Sequence, residues 1–275
     1  MSRSALALKE EGNRHFQVKD YAGAEALYSK AIVADPKNPK LYTNRAMARL
    51  NMSLWENVIA DCQECLKLAP ETMKAHYYIS QAALNLHDFG FALEHAFTAH
   101  KLCVSAGDKD KSMAHVTAQV LKCKKEQWDD RERRRKRETT ELESEVLSLM
   151  ERERNEAVGD MMDVNDGSRH EIEADWQHKI DALRDVFEKA RSGNEKRRKV
   201  PDWAVDDISF GFMVDPVVTK TGKSYERGSL MEHLRRHPTD PLTREPLYMS
   251  ELRPNINLKD ACKEFLDENG WAADW

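Results

Sequence analysis

The chain has 275 residues, of which 33% are charged, 40% apolar and 8% aromatic, a balance typical of helical repeats and charged helices rather than of one large globule. Its formal net charge of -5 argues against a protein whose main task is non-specific nucleic-acid binding. No apolar run is long enough to cross a bilayer, and Met1 to Glu11 lacks the uninterrupted apolar core of a signal peptide, so we expect no membrane association.

Three segments near the start of the chain align at a period of 34 residues, beginning near Ala5, Pro39 and Met73. The equivalent positions are Gly12/Ala46/Ser80, Tyr21/Trp55/Phe89, Ala24/Val58/Ala92, Tyr28/Cys62/Ala96 and Ala31/Cys65/Ala99. This pattern of small and aromatic residues resembles the tetratricopeptide repeat. Since one repeat cannot bury its own apolar face, we expect three stacked helix pairs with a concave groove. Lys111 to Trp128 is a candidate capping helix for the last repeat.

The cysteines indicate reduced thiols, because there are five of them at scattered positions. Cys62 and Cys65 have the spacing of half a zinc site or of a redox motif. No second pair follows at zinc-ribbon spacing, and both lie on repeat positions that we predict to be buried. We therefore predict that they are core residues, in a protein of the cytosol or the nucleus.

The predicted groove carries a set of cationic and amide side chains. Lys9 and Asn13 lie four residues apart on the first helix and so share a face, while Asn44 and Lys74 fall on the equivalent helices of repeats two and three. The set resembles the carboxylate clamp, which implies binding of acidic tails ending Glu-Glu-Val-Asp. Such tails belong to cytosolic heat-shock chaperones of the seventy- and ninety-kilodalton classes. Ammonium and amide groups suit them because they donate charge-assisted hydrogen bonds to carboxylates.

The clamp pattern departs from its relatives at Tyr78, where many members have an arginine. Recognition of the upstream acidic residue is then expected to rest on Lys74 alone. We expect Tyr77 and Tyr78 to offer apolar surface to hydrophobic side chains of the tail. Taken singly, each of these lysines also fits an ordinary solvated helix surface.

Asp108 to Lys199 is rich in charged residues of both signs, interleaved with apolar residues at helical spacing. The two apolar stripes are Leu142, Val146, Leu149 and Met150, and Ile172, Trp176, Ile180, Leu183 and Phe187. A predicted turn in Val158 to Ser168 separates them. We predict an antiparallel helical hairpin that packs against a second copy of the chain, making a homodimer.

Two basic runs lie in the same segment, Arg131 to Arg137 and Lys196 to Lys199. Nuclear localisation or phosphate binding is one interpretation of them. Acidic neighbours weaken such an electrostatic footprint, and basic residues near a helix end need no special function. We favour a solvated helix face for the first run and a linker, ended by Pro201, for the second.

The last segment carries a dense set of recognisable positions. They are Ile208, Phe210, Phe212, Met213, Asp215-Pro216, Gly222, Tyr225-Glu226-Arg227, Leu230, His233-Leu234, Asp240-Pro241-Leu242-Thr243-Arg244 and Pro246-Leu247. The set resembles the U-box, a metal-free relative of the RING finger whose family recruits ubiquitin-conjugating enzymes. The resemblance implies that Ile208, Phe210, Pro241 and Arg244 form the platform for that enzyme, with Arg244 holding the thioester-linked ubiquitin ready for attack. Without the resemblance to the U-box, Ile208 and Phe210 would be interpreted as buried strand residues.

Local patterns complete this segment. The alternation of Ile208, Phe210 and Phe212 and the turn around Thr221-Gly222 predict short strands, and Gly228 to Arg236 and Ile256 to Glu268 read as helices. One cysteine and two histidines are too few for the eight ligands of a zinc RING. The resemblance to the U-box implies hydrogen bonds and salt bridges in place of metal, and we predict no metal and no cofactor.

These patterns predict a mostly α chain: a tetratricopeptide-repeat array with its cap over residues 1–128, a charged hairpin over 129–199 and a small α+β U-box over 200–275. The resemblances to the carboxylate clamp and to the U-box together imply a chaperone-associated ubiquitin ligase that ubiquitinates misfolded client proteins for proteasomal degradation. No catalytic residue is expected, because Cys262 lies on an apolar helix stripe, so the ligase would act without a covalent intermediate. The alternatives are a non-enzymatic co-chaperone adaptor, whose last domain only dimerises, and a basic nucleic-acid scaffold.

Overall fold

The computed structural model describes residues 3–107, 112–159, 166–192 and 199–275. The described chain is mostly helical, as predicted, with a small sheet near its C-terminal end. The helices are α1 (Arg3–Gln17), α2 (Tyr21–Ala34), α3 (Pro39–Asn51), α4 (Trp55–Leu68), α5 (Met73–Asn85), α6 (Phe89–Ser105), α7 (Met113–Gly159), α8 (Asp166–Ser192), α9 (Arg227–Arg236) and α10 (Ile256–Glu268). The strands are β1 (Pro216–Val218), β2 (Ser224–Glu226) and β3 (Arg253–Pro254). None of the described helices is both long and apolar enough to cross a membrane.

Helices α1 to α6 form three helix pairs that share one turn geometry. The turn within each pair contains a non-glycine residue in the left-handed region: Lys19 at φ 64°, Ser53 at φ 59° and His87 at φ 60°. These three positions are spaced at the repeat period that the sequence predicts. A left-handed residue ends the first helix of each pair, so the same backbone turn sends the second helix back along it.

The predicted interior positions of the repeats are buried. Ala24, Val58 and Ala92 are each 0% exposed, which lets the two helices of a pair pack closely. Cys62 and Cys65 are also 0% exposed and lie in one apolar cluster. This burial confirms the prediction that they are core residues, and it raises the pKa of both thiols.

An ion network joins the first two repeats. Asp61 on α4 is 2% exposed and accepts hydrogen bonds from Arg45 at 2.5 Å and from Arg49 at 2.9 Å, both on α3. Arg49 also binds Glu25 of α2 at 2.6 Å. The carboxylate of Asp61 is thus shared by two largely buried guanidinium groups.

We expect Asp61→Ala to lower the free energy of unfolding of the repeats by about 3 to 5 kcal/mol, because it leaves two largely buried cations without their shared carboxylate. Lys67→Ala is the matched control, since it removes an exposed pair with Glu64 and should cost less than about 1 kcal/mol. Urea unfolding followed by far-ultraviolet circular dichroism measures both. Equal destabilisation by the two variants would show that the network contributes nothing beyond a surface pair.

Helix α7 begins as the predicted cap and then continues. Met113 and Val116 pack against α6, and Val120 packs against the core of the third repeat. The predicted end at Trp128 is wrong, because the helix continues to Gly159. Its residues beyond Trp128 are strong helix formers supported by pairs one turn apart, such as Arg135 with Glu132 at 2.7 Å.

The C-terminal sheet has the strand order β2-β1-β3, with both pairs antiparallel. Val217 pairs with Tyr225, and both side chains join a core cluster with Leu230 and Leu234 of α9. The predicted helices and the turn at Thr221-Gly222 are present. The strand predicted from Ile208 to Phe212 is wrong, because those residues form a closed loop instead.

The described chain divides into two compact units, Met1–Asp129 with Pro201–Trp275, and Asp130–Val200. In the second unit, α7 and α8 run antiparallel, since Glu151 lies 3.9 Å from Arg184 while Val158 and Ala174 line one pocket. Part of the predicted apolar stripes stays exposed, with Leu142 and Leu149 each 52% accessible. Residues 160–165 of the predicted turn and 196–198 of the second basic run lie outside the described residues.

Candidate functional site: a repeat groove and two surface loops

Two of the predicted groove residues converge. Asn13 on α1 and Asn44 on α3 come from different repeats, yet Nδ2 of Asn44 donates to Oδ1 of Asn13 at 3.3 Å. Lys9 lies one turn before Asn13 and is partly exposed. Lys74 lies in the first turn of α5 and is exposed. The amide groups therefore share one point, and the two lysines lie on the first helices of repeats one and three.

Tyr77 and Tyr78 follow Lys74 on α5, with ring centroids 6.0 Å apart. Both are partly buried: Tyr78 packs against the cluster that contains Cys62, and Tyr77 against the cluster that contains Met113. Burial raises the pKa of Tyr78 to about 12, so its hydroxyl stays neutral. The residue at the usual arginine position thus supplies apolar surface and no positive charge.

The first loop of the C-terminal domain is organised by Asp206, which is 0% exposed. Its carboxylate accepts from the backbone N–H of Ser209 at 2.8 Å and of Glu226 at 3.0 Å, and from the hydroxyl of Ser229 at 2.6 Å. The backbone N–H of Phe210 donates to the Asp206 carbonyl at 2.8 Å. Phe210 is held at φ 56° with 74% of its surface exposed.

The second loop repeats this plan around Asp240. The carboxylate accepts from the backbone N–H of Leu242 at 2.8 Å and of Thr243 at 3.2 Å. The N–H of Arg244 donates to the Asp240 carbonyl at 2.9 Å, and Arg244 sits at φ 62° with its side chain exposed. In both loops an aspartate precedes the left-handed residue by four positions. Sequence reasoning missed Asp206 and listed Asp240 only among the positions that resemble the U-box, without its role in the loop. The shared spacing of the two aspartates is a signal that could have found both roles.

The four predicted platform residues differ in exposure. Phe210 and Arg244 are exposed, and Pro241 is partly exposed. Ile208 is partly buried because it packs against the core cluster that includes Leu247. Ile208 and Leu247 bring the first loop and the segment that follows the second loop to one core.

Salt bridges occupy the interior of this domain. Asp215 is 2% exposed and binds Arg227 at 2.6 Å and Lys259 at 2.7 Å. Burial by itself raises the pKa of Asp215, but Lys259 and Arg227 outweigh burial and the pKa is lowered. Among the described residues no group of three or more histidine, cysteine or acidic side chains is arranged to hold a metal ion. These polar contacts join β1, α9 and α10.

Glu226 is the most perturbed carboxyl of the domain. It is 6% exposed, and its Oε2 accepts from the N–H groups of Val214 and Asp215 at 2.8 and 2.9 Å. Its Oε1 is buried without a hydrogen-bond partner. Burial, with a smaller contribution from the nearby Asp215 and Asp206 carboxylates, raises the pKa of Glu226 from 4.5 to about 7.

The raised pKa of Glu226 makes the free energy of unfolding fall as the pH rises. Because the folded state favours the protonated side chain, the contribution of Glu226 to stability is fully present below about pH 4.5 and is lost as the pH rises through about 7. We expect Glu226→Gln to remove this loss, which is on the order of 3 kcal/mol. Hydrogen-exchange protection of the C-terminal domain, compared between wild type and variant at matched pH, measures it. Parallel pH profiles would contradict the assignment.

The only cysteine of this domain is unsuited to covalent catalysis. Cys262 is 1% exposed on α10, and burial raises its pKa to about 12. A neutral, inaccessible thiol is a poor nucleophile. A covalent intermediate on Cys262 is therefore unfavourable.

A helical repeat array followed by a small domain with two aspartate-centred loops defines a class: tetratricopeptide-repeat proteins with a C-terminal U-box. Residues 200–271 match the family described as the U-box domain. The chain is CHIP-like from end to end, being 28% identical over 272 residues to the E3 ubiquitin-protein ligase CHIP of Arabidopsis thaliana, with 98% of this chain and 96% of that protein covered.

Two further similarities each cover less than half of this chain. Heat shock protein STI1 of Saccharomyces cerevisiae is 31% identical over 121 residues, which is 44% of this chain and 20% of that protein. Among solved structures, the first TPR of Spaghetti (RPAP3), bound to the HSP90 peptide SRMEEVD, is 28% identical with a TM-score of 0.38, covering 42% of this chain and 92% of that one. The CHIP of Arabidopsis thaliana, in contrast, is matched over nearly its full length.

Proposed function

We propose that this chain couples two binding events, capture of an acidic chaperone tail by the repeats and recruitment of a ubiquitin-conjugating enzyme by the U-box. It is a CHIP-like U-box ubiquitin-protein ligase. In this proposal it docks on tails ending Glu-Glu-Val-Asp, carried by heat-shock chaperones of the seventy- and ninety-kilodalton classes. The conjugating enzyme then ubiquitinates misfolded clients, or the chaperone itself, for proteasomal degradation.

The observation that carries the tail-binding half is the meeting of Asn13 and Asn44 across two repeats, at 3.3 Å. An extended tail brings a terminal carboxylate and acidic side chains. Amide N–H groups at the meeting point, together with the ammonium groups of Lys9 and Lys74, are charge-assisted donors for such groups. Tyr77 is placed to add apolar contact beside Lys74.

The enzyme-binding half is supported by Phe210. Its large apolar side chain is 74% exposed, and its backbone is held at φ 56°. Both features are unfavourable in a domain that binds no partner, and backbone strain of this kind clusters at functional sites. Exposed aromatic residues on a rigid loop are typical anchors of protein interfaces. We place Ile208, Pro241 and Arg244 beside it as the remaining contacts to the conjugating enzyme.

Catalysis in this proposal is positional. The thioester between ubiquitin and its conjugating enzyme already contains the activated bond, and the acceptor lysine belongs to the protein bound at the tail. Holding donor and acceptor on one chain turns a bimolecular aminolysis into an effectively intramolecular one. A nucleophile on the ligase is unnecessary, in keeping with the buried Cys262.

A reconstituted reaction tests the ligase against the adaptor alternative. The protein is mixed with ubiquitin, activating enzyme, a panel of conjugating enzymes, ATP and a chaperone that carries the tail. The proposal expects ubiquitin chains on the chaperone, whereas an adaptor would bind the chaperone and leave it unmodified. Chaperone binding without chain formation by any conjugating enzyme of the panel would favour the adaptor.

We further propose a homodimer that works in the cytosol or the nucleus. The exposed Leu142 and Leu149 lie seven residues apart on one face of α7, and in this proposal they pack against a second copy. Five free, buried cysteines suit a reducing compartment.

A solution mass measurement tests the dimer. The mass should be that of two chains for wild type and of one chain for Leu142→Glu/Leu149→Glu, because charged side chains are costly to bury. Ser144→Glu, a change at an exposed position on another face of α7, should leave the dimer intact. A wild-type mass of one chain would exclude this interface.

A further inference from the structure

The side-chain oxygen of Asn13 is the meeting point of three helices. It accepts the hydroxyl hydrogen of Tyr28, on α2, at 2.8 Å, and an N–H of Asn44, on α3, at 3.3 Å. Tyr28 is 0% exposed, so its hydroxyl approaches Asn13 from the protein interior. Burial raises the pKa of Tyr28, which keeps the phenol in its hydrogen-donating form.

These two hydrogen bonds fix the orientation of the Asn13 side-chain amide. A side-chain amide offers an acceptor oxygen on one branch and two N–H donors on the other. Because the oxygen is held by Tyr28 and Asn44, the donor branch is the one left for a ligand. An amide held this way favours an anionic group over a neutral one that presents its own N–H donors.

Gly12 makes room for this arrangement. A Cβ at position 12 would lie 2.7 Å from Cε1 and 2.9 Å from Cδ1 of Tyr28. Both distances are shorter than non-bonded carbon atoms adopt in proteins. A side chain at this position would therefore push the Tyr28 ring away from its place beneath α1. The hydrogen bond from the Tyr28 hydroxyl to Asn13 therefore depends on the absence of a side chain at Gly12.

Within this chain, the combination of Gly12 and Tyr28 occurs in one repeat. The positions equivalent to Tyr28 are Cys62 and Ala96, and Gly12 has the larger Ala46 and Ser80 as counterparts. The second and third repeats thus pack with a small residue at the tyrosine position. Only the first repeat combines a glycine and a tyrosine here, and the same repeat carries Asn13.

We propose that Tyr28 is a positioning residue of the tail-binding groove, which orients the Asn13 amide so that its N–H groups select a free terminal carboxylate. The inference rests on the proposed function, because it assumes that Asn13 contacts the tail. It adds the residue that sets selectivity for a charged chain end. Gly12 supports that role by leaving space for the ring.

Tyr28→Phe tests the proposal, since it keeps the ring and removes the hydroxyl. Dissociation constants are measured for two peptides ending Glu-Glu-Val-Asp, one with a free terminal carboxylate and one with a terminal carboxamide. We expect the variant to bind the carboxylate peptide about fivefold more weakly, the equivalent of one typical net hydrogen bond. Binding of the carboxamide peptide should change by less than about twofold, so that discrimination between the two peptides falls.

Two controls separate orientation from general packing. Tyr42→Phe removes another tyrosine hydroxyl, which donates to the Pro36 carbonyl at 3.1 Å, and should leave both affinities unchanged. In an Asn13→Ala background, Tyr28→Phe should have no further effect, because the hydroxyl acts through Asn13. This second control stays informative if the single variant is less stable.

The outcomes test the role of Tyr28 separately from the proposed tail binding on which it rests. Wild-type protein that binds neither peptide overturns the proposed tail binding and the role of Tyr28 together. Wild-type protein that binds the carboxylate peptide, with Tyr28→Phe weakening both peptides equally or acting additively with Asn13→Ala, overturns the role of Tyr28 alone.

Discussion

Lys74→Ala is expected to weaken binding of a peptide ending Glu-Glu-Val-Asp by roughly 10- to 150-fold, and Lys9→Ala by a similar factor. The reason is that hydrogen bonds between an ammonium group and a carboxylate contribute about 1.5 to 3 kcal/mol each, and about 1.4 kcal/mol is tenfold in affinity. Because Tyr78 stands where a second cation is usual, Lys74 has no charged substitute on α5 one turn away. Isothermal titration of the peptide against each variant measures the effect.

The matched control for these variants is Lys30→Ala. Lys30 is an exposed lysine on α2, the second helix of its repeat, so the variant makes the same change in net charge outside the proposed groove. Its affinity should equal that of wild type. If all three alanine variants weakened binding equally, general electrostatic attraction would explain the data and the groove assignment would fail.

Phe210→Gly is expected to abolish ubiquitin chain formation while leaving the fold intact. Removing an anchor aromatic from an interface costs about 2 kcal/mol or more, a loss of roughly 30-fold or more in affinity for the conjugating enzyme. Glycine occupies the φ of 56° without the strain of a side chain, and this gain offsets its greater freedom in the unfolded chain. Stability should therefore change by less than about 1 kcal/mol.

Chain formation and thermal unfolding, measured on the same preparations, separate the two effects. Ile256→Ala is the control, because Ile256 is an apolar residue of the U-box with 66% exposure at the start of α10, outside both loops. It should keep full activity. Wild-type activity in Phe210→Gly, at unchanged stability, would remove Phe210 from the platform.

The repeats were predictable because their signal is redundant. Buried small residues, junction aromatics and turns all recur at one period, so an error at one position is corrected by the others. The end of the capping helix was not predictable in this way. Nothing in the sequence after Trp128 breaks a helix, and only the change from apolar to charged residues suggested a boundary there.

The loop from Ile208 to Phe212 shows a different limit. A strand would turn Phe210 and Phe212 to the same face, but Phe212 is buried and Phe210 is exposed. Apolar residues at every second position therefore do not by themselves distinguish a strand from a closed loop. The Asp206 carboxylate shapes this loop by accepting hydrogen bonds from Glu226 and Ser229, which lie twenty or more positions away in the sequence. Contacts of that range are invisible to local pattern reasoning.

The groove shows what the sequence can and cannot supply. Spacing places Lys9 and Asn13 on one face of α1, but the approach of Asn44 to Asn13 depends on how two repeats stack. The orientation of the Asn13 amide depends on Tyr28, which the alignment presents only as a core position. Residue types can be predicted from a motif, whereas their hydrogen-bond partners require the packed structure.

The most direct measurement of the central claim uses a folded reporter protein that ends in Glu-Glu-Val-Asp, incubated with activating enzyme, conjugating enzyme, ubiquitin and ATP. The account predicts that the wild-type chain ubiquitinates this reporter and spares the same reporter without the tail. It also predicts that either Lys74→Ala or Phe210→Gly is enough to stop the modification. Equal ubiquitination of the two reporters, or full activity in either variant, would contradict the coupling of tail capture to ubiquitin transfer.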